Sequence, residues 1–176
     1  MKNIKKSSPV KYEALDIAKY FIWKSAEEKK PITNKKLQKL VYYAQAWYLV
    51  ASKGSKSLFD EKIDAWIHGP VVSSVYHAYK QFGFHEIDSK LGDENNFEPN
   101  VKQLLDEVWD VYGKLDANAL EALTHSESPW QEARSMLDQN EFGDAEISNS
   151  NIFEYYSKLK KKLEDSNKNF PFSELT

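Results

Sequence analysis

The sequence predicts a mainly α fold: a compact single-domain bundle of about six to seven helices around a central buried helix, with room for a small β-hairpin. Three observations carry this expectation. Apolar residues recur at i, i+3, i+4 spacing in successive segments along the chain. One of these segments, 34–51, is apolar on more than one side, as a helix enclosed by others must be. The chain's 176 residues, 41% of them apolar, suffice for one well-buried core.

The elements follow in order. Residues 12–27 place Leu15, Ala18, Phe21 and Ile22 on one side, with Ser8-Pro9 as a start signal and Pro31 closing the segment. Thr33 is placed to cap the next helix, in which Leu37, Leu40, Val41, Ala44 and Tyr48 form the main stripe and Tyr43, Trp47 and Val50 widen it. Residues 52–57 around Gly54 read as a loop. Residues 58–67 fit a turn plus a short strand. At Gly69-Pro70 the pattern restarts as a helix, because proline suits a first turn whose N–H is unpaired anyway; it runs to about Phe82 and stops at Gly83. Residues 84–100 are polar, with a loop tip at 93–96 and a hairpin allowed.

Val101, Leu104, Leu105, Val108, Trp109 and Tyr112 then make a helical stripe that Gly113 ends. Asp116 can cap a short helix over 117–123, with Leu115 and Leu120 at hydrophobic-staple positions. Ser128-Pro129-Trp130-Gln131 reads as a capping box with proline at the first helical position. Residues 139–149 read as a loop, and Ile152, Tyr156, Leu159 and Leu163 form a last helix. The expected organisation is a flexible N-terminus (1–10), one domain (11–165) and a flexible tail (166–176).

Composition excludes several function classes. With no cysteine, disulfides, thiol catalysis and cysteine-held metal centres are ruled out. No run of apolar residues is long enough to span a membrane, and residues 1–6 lack the apolar stretch of a signal peptide; the expected location is cytoplasmic, with no membrane partner. Net charge is −3 and Arg134 is the single arginine, which speaks against a dedicated nucleic-acid reader. From Leu105 to Glu146 eleven acidic side chains face only Lys114 and Arg134. Solvated helix faces account for them; the functional alternative is an acidic surface for a basic partner.

The four histidines, His68, His77, His85 and His125, form no metal-ligand pair, so no metal and no cofactor is expected. No glycine-rich phosphate loop and no nucleophile elbow is present. His125 between Thr124 and Ser126 suggests a base beside hydroxyls, but a histidine at a helix corner packed near Trp130 explains it as well. No catalytic residue is assigned, and the chain is not read as an enzyme.

Three motifs carry a resemblance. Leu37-Gln38-Lys39-Leu40-Val41-Tyr42-Tyr43-Ala44-Gln45, then Ala65-Trp66-Ile67-His68-Gly69-Pro70-Val71-Val72 with Val75-Tyr76, then Leu123-Thr124-His125 with Pro129-Trp130, resemble in order and spacing the "KLQKLLYYAQ", "AW-x-x-GPV…VY" and "LTH…PW" elements of the Panacea antitoxin domain. That family includes phage-associated GepA-like and SocA-like antitoxins. Ser73-Ser74 stands where members often carry proline and a polar or acidic residue. The resemblance implies a mostly helical antitoxin of a bacterial toxin–antitoxin system that neutralises a cognate toxin by direct protein binding. It also implies an alternative, a proteolytic adaptor that delivers the toxin to a ClpXP-type protease. A nucleic-acid-binding regulator using Lys35, Lys36 and Lys39 is the reading the charge balance disfavours, and a homo-oligomer stays open. The expected partner-binding residues are Lys39, Tyr42, Trp66, His68, Tyr76, His125 and Trp130. Gly69, Pro70, Val71, Thr124 and Pro129 are expected to shape the corners that present them.

Overall fold

Helix α2 (Asn34–Ala51) is the axis of the molecule. In the computed structural model, which describes residues 12–166, every residue of α2 except Lys35 is buried. Thr33 caps it as expected, its Oγ1 accepting from the Lys36 amide at 3.3 Å. Around it pack α1 (Ala14–Glu27), α3 (Ser73–Tyr79), α4 (Pro99–Tyr112), α5 (Ala117–His125) and α7 (Asn149–Asp165); α6 (Ser128–Ala133) bridges α5 and α7. Among the described residues the fold is mainly α, as the periodicity predicts, with one two-stranded sheet. The ends expected to be flexible, 1–10 and 166–176, and the Ser8-Pro9 start signal lie outside the described residues, apart from Ser166, which caps α7. Helix α1 is instead started by Glu13 and Asp16 in a reciprocal capping arrangement, which ties up two backbone donors at its first turn.

The hairpin and the start of α3 differ from the sequence expectation. The hairpin is not within 84–100; it is β1 (Ile63–Trp66) paired antiparallel with β2 (Gly69–Val72). Pro70 therefore lies in a strand opposite Ala65 rather than in a first helical turn, and α3 begins at Ser73. The register explains why proline is tolerated. The Ala65 amide donates to Ala145 at 2.7 Å and its carbonyl accepts from Arg134, so Ala65 turns its polar groups away from Pro70 and asks for no N–H from it. The turn residues Ile67 and His68 have ordinary φ, and Gly69 takes the left-handed position at φ +101°, the glycine task in this kind of hairpin. Residues 145–147 run along the free edge of β1, with Ile147 donating to Ile63 at 2.8 Å.

Helix α6 also begins differently. Glu127, not Ser128, is its N-cap residue, and no side chain caps the helix. The Gln131 side chain donates through Nε2 to the His125 carbonyl at 2.8 Å instead of closing a box. Glu127 is occupied elsewhere: its carboxylate accepts from Tyr43 at 3.1 Å and Tyr156 at 2.6 Å, joining α6 to α2 and α7. Tyr43 stacks on Tyr112 at 3.8 Å, and Tyr112 Oη accepts from Trp47 at 3.0 Å.

Two buried ionisable groups give this core a pH dependence. Burial raises the Glu127 carboxyl to about 7 despite its two tyrosine donors. Burial pushes the Lys39 amine down to about 7; Glu121 opposes this and Lys35 adds to it. Between about 4.5 and 7 the folded Glu127 keeps a proton that the unfolded chain has lost, so stability falls as pH rises. Between about 7 and 10.5 the unfolded Lys39 holds a proton that the folded one lacks, so stability rises with pH. A minimum near neutrality is the expected contribution of the pair. Thermal melts from pH 4.5 to 10 should show Glu127→Gln flattening the acidic limb and Lys39→Met the alkaline limb. Each change is expected to be on the order of a few kcal/mol; unchanged limbs would refute the assignment.

Candidate partner-binding groove

Two of the three sequence motifs meet at one face, and the third packs behind it. The first turns of α2 supply Lys35 and Lys39, the hairpin supplies Trp66, His68 and Val71, and α3 supplies Tyr76. Together they bound a groove of about 730 Å³, the volume range of a site that admits a ligand or a partner's side chains.

Gly69 sets the depth of its floor. A Cβ there would lie 2.6 Å from Lys39 Cε and 2.9 Å from both Lys39 Nζ and Thr124 Oγ1. Glycine thus lets the hairpin turn close onto α2 and α5 at once. Lys39, 1% exposed, donates to the Pro70 carbonyl at 3.2 Å. Asn34 donates to the Tyr76 carbonyl at 3.3 Å, and Gln38 accepts from the Val72 amide at 3.0 Å. These amides are committed to holding the hairpin and α3 on α2. Pro129 is buried at the start of α6, and Val71 is buried in β2 opposite Asp64.

The remaining motif residues form a second tier. Trp66 packs edge-on against Tyr76 at 4.8 Å, and its carbonyl accepts from Trp130 Nε1 at 2.9 Å. Trp130 stacks on His125 at 3.9 Å, with the Arg134 guanidinium 5.5 Å from its ring. Burial pulls the His125 imidazole below its ordinary value, the Glu121 carboxylate opposes, and Lys39 adds to the shift. Thr124 and Ser126 donate to the Glu121 and Leu123 carbonyls of their own helix at 2.9 and 2.6 Å, so neither hydroxyl is directed at His125. At the surface, His68 Nδ1 meets Glu121 at 3.0 Å, and Lys35 pairs with the same carboxylate. Burial would raise the Glu121 pKa, but the hydrogen bonds from Lys35 and His68 outweigh it and hold the group below its ordinary value.

Of the residues expected to meet a partner, Trp66, His68 and Tyr76 line the groove and Lys39 underlies it. His125 and Trp130 stand behind the hairpin, half-buried. Tyr42 is corrected: it is 1% exposed and packed among Tyr43 and Tyr156, because the opposite side of α2 is as enclosed as the rest.

Two residues the motifs did not flag dominate the rim. Phe84 and Phe142 are 94% and 87% exposed and both border the groove. Each stands on a tethered loop. Phe84 is held by the His85 amide on the Phe82 carbonyl at 2.8 Å and by Ile87 donating to Ile32 at 2.9 Å. Phe142 follows a loop that Arg134 pins, donating to the Ala65, Asp138 and Glu141 carbonyls at 2.9, 3.3 and 2.7 Å. The single arginine is thus a structural strut. Each phenylalanine sits beside a glycine in a polar loop, Gly83-Phe84 and Phe142-Gly143; an isolated aromatic in such a setting is the signal that marks them. Among the described residues, no group of three or more His, Asp or Glu is placed to hold a metal ion, and no helix is long and apolar enough to cross a membrane.

Comparison with known proteins agrees with the motif order. Residues 37–131 match the family described as antitoxin SocA-like, Panacea domain. The chain is 30% identical over 139 residues to Antitoxin SocA of Caulobacter vibrioides (strain NA1000 / CB15N), covering 69% of this chain and 70% of that protein. No solved structure matches.

Proposed function

Since the chain belongs to the SocA-like antitoxin family with a Panacea domain, we propose that it is a cytoplasmic antitoxin that neutralises a cognate toxin by direct protein–protein binding, without catalysis of its own. The observation that carries the proposal is the groove face. Two almost fully exposed phenylalanines, both on tethered loops, flank a concave aromatic surface. Leaving two such rings in water forgoes burial worth roughly 2 kcal/mol each, and rigid aromatic anchors around a pocket are what protein interfaces use as hot spots. Tethering lowers the ordering cost of binding. The hydroxyls beside His125 are committed to helix carbonyls, which supports binding over hydrolysis.

The test is a co-expression rescue. The gene adjacent to this chain's gene is induced alone and together with this chain, in cells with and without the ClpXP protease. The expected result is growth arrest by the toxin alone and rescue in both backgrounds. Rescue only where the protease is present would replace direct neutralisation with the adaptor role; absence of rescue would refute the antitoxin reading for that pair.

A further inference from the structure

The groove has a charge of its own. The chain is net negative, yet the groove gathers Lys35, Lys39, Lys80 and His68 against one lining carboxylate, Asp144. Glu121, the acid behind it, is already engaged by both Lys35 and His68. Lys80 is exposed at the end of α3, and no carboxylate pairs with it among the described residues. The first turn of α2, an 18-residue helix, also turns its positive end toward this wall. Lys35 and His68 are already paired with Glu121 and Lys39 is buried against the Pro70 carbonyl, so the charge left for a partner is that of Lys80; aromatic walls beside this ammonium fit an apolar side chain with a neighbouring carboxylate.

We propose that the groove holds a segment of the toxin that carries an apolar or aromatic side chain next to an acidic one. The apolar side chain packs against Phe84, Phe142 and Trp66; the carboxylate faces Lys80 and His68 at the mouth, above the Lys39 amine in the floor. The inference rests on the reading of this face as the docking surface and adds the chemistry of the occupant. This occupant differs from the basic one that the other acidic side chains of 105–146 would draw, although Phe142 and Asp144 of that stretch border this groove. Burial disfavours the charged form of Lys39 in the free protein, and the groups that act on it or share its wall are Lys35 on α2, Glu121 and His125 on α5, His68 in the hairpin turn, Asp144 in the loop before β1's edge and Lys80 after α3. An arriving carboxylate favours protonated Lys39, so complex formation takes up protons near neutral pH.

The experiment titrates the purified toxin with the full chain by calorimetry, in two buffers of different ionisation enthalpy, at two salt concentrations and at pH 7 and 8.5. Wild type is expected to bind with net proton uptake and more weakly at pH 8.5. Lys80→Glu, at an exposed site, should weaken binding by tenfold or more and Lys80→Arg should restore it. Lys39→Met should abolish the proton uptake. Equal or tighter binding by Lys80→Glu would overturn the acidic occupant while leaving the antitoxin reading intact. So would competition for the groove by a second copy of the chain, seen as a dimer that Phe84→Ser dissolves. Wild type that fails to bind the toxin at all would overturn this inference together with the reading it rests on.

Discussion

Replacing Phe84 and Phe142 together with serine is expected to weaken toxin binding by about 100-fold or more and to leave the melting temperature unchanged. Truncating a hot-spot residue costs about 2 kcal/mol or more, and each 1.4 kcal/mol is roughly tenfold in affinity. Two such residues on one rim give the expected loss even with incomplete additivity. The folded state has little to lose, because both rings stand in solvent and the bonds that tether their loops come from the backbone and from Arg134. Surface changes of this sort move stability by about 0.5 kcal/mol or less. Calorimetric titration and thermal melts of the same preparation check both halves. Unchanged affinity would move the interface off this face.

The second large effect is structural. Gly69→Ala is expected to destabilise the protein by roughly 2–5 kcal/mol, a fall in melting temperature on the order of 10 °C for a chain of this size. Two costs add. At φ +101° an L side chain is strained. The new Cβ would also lie 2.6 Å from Lys39 Cε and 2.9 Å from Thr124 Oγ1, so the buried end of the Lys39 side chain would have to shift and give up its bond to the Pro70 carbonyl. Gly83→Ala separates the terms. Gly83 also has positive φ (56°, with ψ −120°), but a Cβ there meets nothing within 4 Å, so only the backbone cost of about 1–3 kcal/mol applies. Equal losses in the two variants would mean that crowding at the Gly69 corner contributes nothing.

The helices were legible in the sequence because each is amphipathic and has a recognisable end. Asp116 caps α5 on the Ala119 amide at 2.8 Å, Gly113 ends α4, and the six stripe residues of α4 are all buried. Helix α2 was identified as central for the same reason. The hairpin was misplaced because Gly-Pro is a helix-start signal locally. Only the pairing with β1 and residues 145–147, set by tertiary contacts, reveals that the Pro70 nitrogen has no bond to miss. The expected capping box at Ser128 failed through competition: tyrosines from two other helices claim Glu127, and no local pattern encodes that.

The candidate site divides in the same way. Trp66, His68 and Tyr76 border the groove, with Lys39 buried beneath it, because motif residues cluster where α2 meets the hairpin. Tyr42 was misjudged because a stripe on one side of a helix says nothing of what covers the other. Phe84, Phe142 and Lys80 belong to none of the motifs, and only the folded chain brings their loops to one rim. The residues that shape the groove are thus those of the recurring motifs, while those that crown it lie in the connecting loops.

The measurement that bears most directly on the account is a titration of the purified toxin's activity with this chain, with no protease present. Direct neutralisation predicts that toxin activity falls in proportion to added chain and reaches its floor at a fixed stoichiometry, and that the Phe84→Ser/Phe142→Ser variant leaves it high. Full toxin activity in the presence of a formed complex would contradict the account and leave delivery to a protease as the way this fold disarms its partner.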